Sequence, residues 1–383
     1  VFFIDLLKKL SNVKVNICKN LNTNKLMLVT KQLLDFPNGG RELLCKLNYD
    51  ILKETYGDHL VLFELSRSRL QGLKSIFNAF KGYIDGLNDV VINNGLQVIQ
   101  AENVKKIFVD GSNLGMFVKA AKKRFPNVEI TIFFHNVEAR FFLGSLKQKK
   151  SLRALGVLIA NYLAERKAVR YSDKIICLSN RDSRLLQKLY GRAATHISPM
   201  ALQDKLPTNI ETFIEHVAKP YALFVGGGFY ANRAGILWFV RNVVPRIAIK
   251  TCIVGRGLGD LKRELEEFGK VEVVGGVDDL APWYVNAHFV IAPIFDGSGM
   301  KTKVAEALMF GKKVLGTPEA FSGYEDIVER AGRICVSAED FISAIKETEL
   351  IVKNRYDNEL RLIYEVTYSY EAARNRFQNI LDA

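Results

Sequence analysis

Residues 293–311 read Pro-Ile-Phe-Asp-Gly-Ser-Gly-Met-Lys-Thr-Lys-Val-Ala-Glu-Ala-Leu-Met-Phe-Gly and concentrate residue types that can hold a phosphate and a sugar together. Gly297 and Gly299 make a loop, Lys301 and Lys303 follow it, and Glu306 comes one turn later. A helix starting near Lys301 would offer free backbone N–H groups and the positive end of its dipole to an anion. The lysines add full charge, and the Glu306 carboxylate can accept hydrogen bonds from hydroxyls. A diphosphate joined to a sugar would use both ends of such an element. A lone glycine turn is also an ordinary packing device, but a second cluster, Gly226-Gly227-Gly228, stands in the same half of the chain. His135 closes the run Thr131–Phe134, where an imidazole can bind a sugar hydroxyl or move a proton. Glu138 reads equally as a pocket residue or as a helix cap near Arg140. Asp110 and Asn113 could line a cleft, and helix capping explains them as well. Arg256, between Gly255 and Gly257, is a further cation at a strand end.

Strands alternating with helices must position these residues. Lys25–Thr30, Leu60–Leu65, Lys106–Asp110, Glu129–Phe134 and Lys174–Leu178 are strand-like, with helical spacing between, as in Leu43, Leu44, Leu47, Ile51 and Leu52. Breakers at Pro199, Pro207 and Pro220 place an interdomain linker over 199–219. The rhythm restarts with strands at Tyr221–Val225, Thr251–Val254, Val271–Val274, Phe289–Ala292 and Lys313–Gly316, and a helix from about Asn232 to Val244. This predicts an α/β protein: domain one over 1–198, joined by a final helix at 369–383, and domain two over 220–368. Each has a parallel sheet covered on both faces, with ligands beyond the C-terminal strand ends. Residues 1–24 fit poorly before the first strand and carry no readable role.

The chain has 383 residues, a length suited to two domains, and its composition is that of a soluble globular protein. No apolar run nears the ~20 residues of a membrane span. Because the chain begins at Val1, a targeting segment could be missing from it. Cys18, Cys45, Cys177, Cys252 and Cys335 have no CxxC spacing and read as buried free thiols in a reducing compartment. Histidine spacing predicts no metal site. The net charge is +13, made of roughly +16 in residues 1–200, densest between Lys119 and Arg192, and roughly −3 in the rest. Lys147, Lys149, Lys150 and Arg153 lead into an amphipathic helix over Ser151–Arg170. Core packing is expected to take most of its apolar residues, Leu152, Leu155, Leu158, Ile159, Tyr162 and Leu163. The charge then predicts an anionic partner, preferably a lipid surface.

Taken in order, several motifs resemble the retaining glycosyltransferases of family 4, which have the GT-B fold. They are Gly39-Gly40, His135-Asn136-Val137-Glu138, Phe224–Gly228 with Asn232, Ile253–Gly257, Gly275–Leu280 and the stretch ending in Glu306-Ala307-Leu308, with Tyr370–Ile380 similar to the family's last helix. The resemblance implies two Rossmann-like domains whose parallel sheets face each other across a cleft. It implies that Glu306 holds ribose hydroxyls, that Ser298, Gly299 and Met300 face the diphosphate, and that Gly276 and Val277 lie beside the base. Gly39 and Gly40 would approach the diphosphate from the first domain, and His135 would sit near the donor sugar. Gly227, Gly228, Asn232 and Arg256 complete the donor set, and Lys301 is the first choice to stabilise the departing diphosphate. Two departures stand out. Ser298 occupies the place of the first of two glutamates, and no Arg-then-Lys pair follows Gly226–Gly228.

The expected function is transfer of a sugar, with retention, from a nucleotide-diphosphate sugar (a UDP-sugar for preference) to a cell-surface polysaccharide or lipid-linked glycan. No cofactor or metal is expected. The partners would be the nucleotide sugar, the glycan acceptor and an anionic membrane surface on the cytoplasmic side. Neither the sugar, the linkage nor the oligomeric state is legible. A catalytically silent sugar-binding subunit is the competing reading suggested by Ser298. A nucleic-acid-binding protein is suggested by charge alone and lacks any recognition motif.

Overall fold

The computed structural model describes residues 24–34, 39–66, 78–208, 220–351 and 356–382; residues 1–23, Pro37-Asn38 and most of the expected linker lie outside them. The chain divides into two compact units: residues up to Pro199 together with Tyr370–Ala383, and Met200–Ser369.

The first unit runs β1 (Leu26–Lys31), α1 (Gly40–Tyr56), β2 (Leu60–Leu65), α2 (Asp89–Ala101), β3 (Lys106–Asp110), α3 (Gly115–Arg124), β4 (Glu129–Phe134), α4 (Glu138–Lys149), α5 (Leu152–Tyr171), β5 (Lys174–Cys177), α6 (Asn180–Tyr190) and β6 (His196–Ile197). Its sheet has the order β2-β1-β3-β4-β5-β6, and every pairing is parallel. Strands such as Leu26–Val29 and Ile130–Phe134 are buried almost end to end, which is why they read as continuous apolar runs. Two short strands, β6 and β12 below, carried too few residues to be seen in the sequence.

The second unit contains β7 (Tyr221–Val225), α7 (Tyr230–Asn242), β8 (Lys250–Val254), α8 (Lys262–Leu265), β9 (Val271–Gly275), α9 (Ala281–Asn286), β10 (Phe289–Ala292), α10 (Thr302–Met309), β11 (Val314–Gly316), α11 (Val328–Ala331), β12 (Gly332–Ile334), α12 (Ala338–Ile351) and α13 (Asn358–Ile363). The sheet order is β12-β11-β10-β7-β8-β9, again parallel. A last helix, α14 (Tyr370–Asp382), belongs to the first unit. There Phe377 packs on Phe108 with centroids 5.4 Å apart, and Lys174 Nζ donates to the Ile380 carbonyl at 2.8 Å. A lysine there satisfies a carbonyl that the helix end leaves unpaired.

Both sheets have a point where chain order reverses: between β1 and β3 in the first, and between β7 and β10 in the second. Helices leave in opposite directions from two such neighbouring strands, so a crevice opens beyond their carboxyl ends.

Helix α5 departs from expectation. Its buried face is Ala160, Asn161, Ala164, Glu165, Ala168 and Val169, not its large apolar residues. Gly115 of α3 explains this, because a Cβ there would collide with the Ala164 carbonyl oxygen. At so close an approach only small residues fit at the crossing itself, where α5 has Ala164 and Ala168. Leu158 and Tyr162 reach the core edge, whereas Leu152 is 88% exposed and Leu155 and Ile159 are exposed too.

Candidate functional site

In the second unit the β7–β10 crevice collects most of the expected donor residues. Gly297 and Gly299 both take positive φ, 148° and 67°, so the loop between β10 and α10 needs glycine at both places. Asp296 ties it down, accepting from Gly297 N at 2.7 Å and from the Tyr230 hydroxyl at 3.3 Å. Lys301 is the N-cap of α10. Its ammonium donates to the Gly299 carbonyl at 2.8 Å and to Glu319 Oε1 at 3.0 Å. The first-choice cation is therefore engaged in holding its own loop. Ser298 and the buried Met300 lie in that loop.

Glu306 projects from α10 and accepts a 2.7 Å hydrogen bond from the Tyr284 hydroxyl of α9. Burial pushes the Glu306 carboxyl up, against the bond from Tyr284 and the nearby charges of Lys205 and Lys303. Lys303 is 6% exposed. Its Nζ donates to Asn232 Oδ1 at 3.0 Å and lies 4.3 Å from the centroid of the Phe224 ring. Asn232 Nδ2 in turn donates to the Gly227 carbonyl at 3.0 Å. The expected donor residue Asn232 is thus a bridge from the glycine turn to a lysine one element away.

The glycine turns are partly packing devices. A Cβ at Gly228 would collide with the Gly257 carbonyl, and one at Gly255 with the Gly226 carbonyl. Two neighbouring strand ends interlock there, backbone on backbone. Gly227 is open apart from the Arg256 carbonyl at 3.4 Å from its Cβ position. Arg256 is exposed, and its side chain lies over Gly276, which leaves no room for a Cβ. Val277 follows, half-buried. Arg233 is taken by Asp260 in a bidentate pair, so it is not a free phosphate ligand.

In the first unit the β1–β3 crevice holds a buried polar network. Asp110, at the end of β3, accepts from Thr30 Oγ1 at 3.0 Å and Asn48 Nδ2 at 2.9 Å. His135 Nε2 stands 2.8 Å from Asp110 Oδ1 and 3.6 Å from Cys45 Sγ. Burial alone would raise the Asp110 carboxyl, but the His135 ring and the hydrogen bonds it accepts hold it down at about 2. Burial, with Asp110 beside it, pushes the Cys45 thiol far up. Cys45, Asp110 and His135 are close enough to share an ion, although nothing in their sequence spacing suggests it. The hydrogen bonds just given account for the trio, and Asp110 is a partner for His135 rather than a helix cap.

Gly39 is the N-cap of α1 and Gly40 its first residue, both exposed. The next residue, Arg41, reaches Asn113 Oδ1 at 3.0 Å, Asp85 Oδ2 at 3.3 Å and Glu138 Oε1 at 3.5 Å. Glu138 is a network residue, and Glu165 does the capping, accepting from Glu138 N at 2.8 Å and Ala139 N at 3.0 Å. Arg41 Nε, His135 Nδ1 and Asn136 Oδ1 are buried without a hydrogen-bond partner. Such atoms cost about 1–3 kcal/mol each, and their grouping fits a place where a ligand supplies the missing partners.

The structure thus gathers Gly227, Asn232, Gly299, Met300, Lys301 and Glu306 in one unit, with Arg256, Gly276 and Val277 at the neighbouring strand ends β8 and β9. His135, Gly39 and Gly40 belong to the other unit. Sequence reasoning missed Tyr284, Glu319, Cys45, Asn48 and Arg41. Only Arg41, beside the glycine pair, carried a signal.

Residues 219–349, about a third of the chain, match the family model described as glycosyl transferases group 1. No curated protein matches the chain in sequence. Among solved structures, sucrose-phosphate synthase from Thermosynechococcus elongatus is similar with a TM-score of 0.69 at 13% identity, over 94% of this chain and 98% of that one. Anabaena Alr3699/HepE in complex with UDP gives 0.66 at 12% identity, over 94% and 99%. The lipopolysaccharide outer core galactosyltransferase WaaB gives 0.61 at 16% identity, over 93% and 99%. With two six-stranded parallel sheets of this order, the chain has the GT-B glycosyltransferase fold, and its second unit carries the glycosyl transferases group 1 match.

Proposed function

We propose that the protein is a retaining glycosyltransferase that moves a sugar from a nucleotide-diphosphate donor to a cell-surface polysaccharide or lipid-linked glycan. The observation that carries this reading is α10: a glycine loop at its N-terminus, Lys303 buried one residue inside, and Glu306 one turn on, all within the matched segment. Glu306, already oriented by Tyr284, accepts ribose hydroxyls. The diphosphate lies at the N-terminus of α10, where backbone N–H groups and lysine charge stabilise it as it departs. Gly276 and Val277, with Arg256 beside them, adjoin the base. In the first unit, His135 keeps Nδ1 free because Nε2 is held by Asp110, and Nδ1 takes a sugar hydroxyl.

A UDP-sugar is the proposed donor, supported by neighbours solved with UDP and, for HepE, with UDP-glucose. The transfer is proposed to need no metal, with lysine charge at the N-terminus of α10 opposing the departing diphosphate. Leu152, Leu155 and Ile159 are exposed beside Lys147, Lys150 and Arg153, and this face is proposed to rest on an anionic membrane at the cytoplasmic side. Thermal-shift measurement over a panel of nucleotide sugars tests the reading, since a donor that binds the native state raises its melting temperature. A rise with one UDP-sugar and its turnover in EDTA are expected. No shift with any donor would overturn the reading, and binding without hydrolysis or transfer would point to a silent sugar-binding subunit. Loss of turnover in EDTA, restored by magnesium or manganese, would refute the metal-free mechanism.

A further inference from the structure

We propose that Lys303 is a proton-gated counter-ion: above neutral pH it waits largely as an uncharged amine near the Gly226–Gly228 turn and becomes an ammonium as the donor's diphosphate enters, so that donor capture there takes up a proton. This deepens the donor-binding reading given above and rests on it.

The geometry comes first. Lys303 sits in the first turn of α10, at the point where the β7–β10 order reverses. It is almost wholly buried, yet among the described residues no carboxylate stands within ion-pair distance of it. Its partners are a neutral amide oxygen, Asn232 Oδ1, and the face of Phe224. A buried lysine normally earns its place by pairing with an acid. Here the amide accepts one N–H, leaving two of the three donors that the ammonium would have, and Asn232 is itself fixed to the turn through Gly227. Lys303 belongs to the first turn of α10, and a helix N-terminus is the place in the fold best suited to an anion.

The charges around it are accounted for. On its own helix, Glu306 favours the ammonium but is bonded to Tyr284. Lys301 opposes the ammonium and is itself paired with Glu319. On α7, Arg233 is neutralised by Asp260, and Asp296 of the loop is used by Gly297 and Tyr230. Burial therefore dominates and pushes the Lys303 ammonium down to about 7.

The sign follows. Because the native state holds this proton less tightly than the unfolded chain does, the empty protein gains stability as pH rises from about 7 toward the ordinary lysine range. A diphosphate reverses the preference by supplying the missing counter-charge. The proton comes from solvent, it lands on Nζ, and no bond of the donor changes.

The test uses the full chain and UDP-glucose, whose diphosphate does not titrate near neutrality. Calorimetry at pH 8 in buffers of different ionisation enthalpy should show close to one proton taken up. Affinity should be flat below pH 7 and fall toward tenfold per pH unit above it. Lys303→Met should weaken binding by about ten- to a hundredfold and abolish the proton uptake. The same variant, without ligand, should melt at a higher temperature than the wild type at pH 6, with the gap closing toward pH 10. Lys303→Arg should bind with no pH step. Wild-type binding without proton uptake, or unchanged affinity in Lys303→Met, would overturn the proposal while leaving the donor reading intact. Failure of the wild type to bind any nucleotide sugar would overturn the donor reading, and a ligand-free Lys303→Met protein no more stable than wild type at pH 6 would overturn the gating independently.

Discussion

Glu306 and His135 each have one end occupied, which fixes the direction of the other. The Tyr284 hydroxyl takes one oxygen of Glu306 and fixes the carboxylate's direction. Asp110 does the same for His135 through Nε2. Removing Glu306 should leave the fold intact, because among the described residues its side chain has one hydrogen bond, from Tyr284, and burial already disfavours the carboxylate. Glu306→Ala is therefore expected to lose about 1.5–3 kcal/mol of donor affinity, the worth of hydrogen bonds to a charged acceptor. Titration calorimetry with UDP-glucose, beside a melting curve, checks both halves. Unchanged affinity would take Glu306 out of the site.

Helices α3 and α5 carry the lesson at the scale of the element. Gly115 lets α3 lie directly against the backbone of α5 at Ala164 and Ala168. Its φ of −58° is ordinary, so alanine there is forbidden by contact and not by backbone strain. Gly115→Ala should destabilise the protein by about 1–3 kcal/mol or more, the usual cost of overpacking. Gly259, with open space around it, should tolerate alanine within about 0.5 kcal/mol. Urea denaturation of the two variants separates these outcomes. The same close approach leaves Leu152, Leu155 and Ile159 exposed, in the stretch of chain that also exposes Lys147, Lys150 and Arg153. Replacing those three cations together should sharply reduce cosedimentation with phosphatidylglycerol vesicles. Each basic residue near an anionic surface contributes about 1 kcal/mol, and salt should release the wild type. Equal partitioning onto neutral and anionic vesicles would assign the charge to another partner.

At the scale of the whole molecule, the net charge and the family match are divided between units. Roughly +16 lies in residues 1–200, while the remainder is slightly negative, so the basic face belongs to the unit with α4 and α5. The segment matching glycosyl transferases group 1 falls in the other unit. Donor binding should accordingly be unchanged in the variant lacking Lys147, Lys150 and Arg153, even where vesicle binding is lost. A fall in UDP-glucose affinity in that variant would mean the two properties are coupled.

The amino-acid sequence by itself determined the fold class and nearly every strand. A strand buried on both faces must be a continuous apolar run, and the turn that follows must be glycine or a capping residue. Both are local constraints, readable at Ile130–Phe134, Phe289–Ala292 and Gly297. Only the tertiary structure decided which lysine was free. Lys301 and Lys303 are two residues apart and chemically alike, yet one is claimed by Glu319, eighteen residues on, and the other faces an amide seventy-one residues back. It also assembled Cys45, Asp110 and His135 from three elements, and turned the leucines of α5 outward because a glycine on α3 let the two helices touch. Side chains far apart along the chain meet only after the sheets have set their strand order, and no spacing along a sequence records that order.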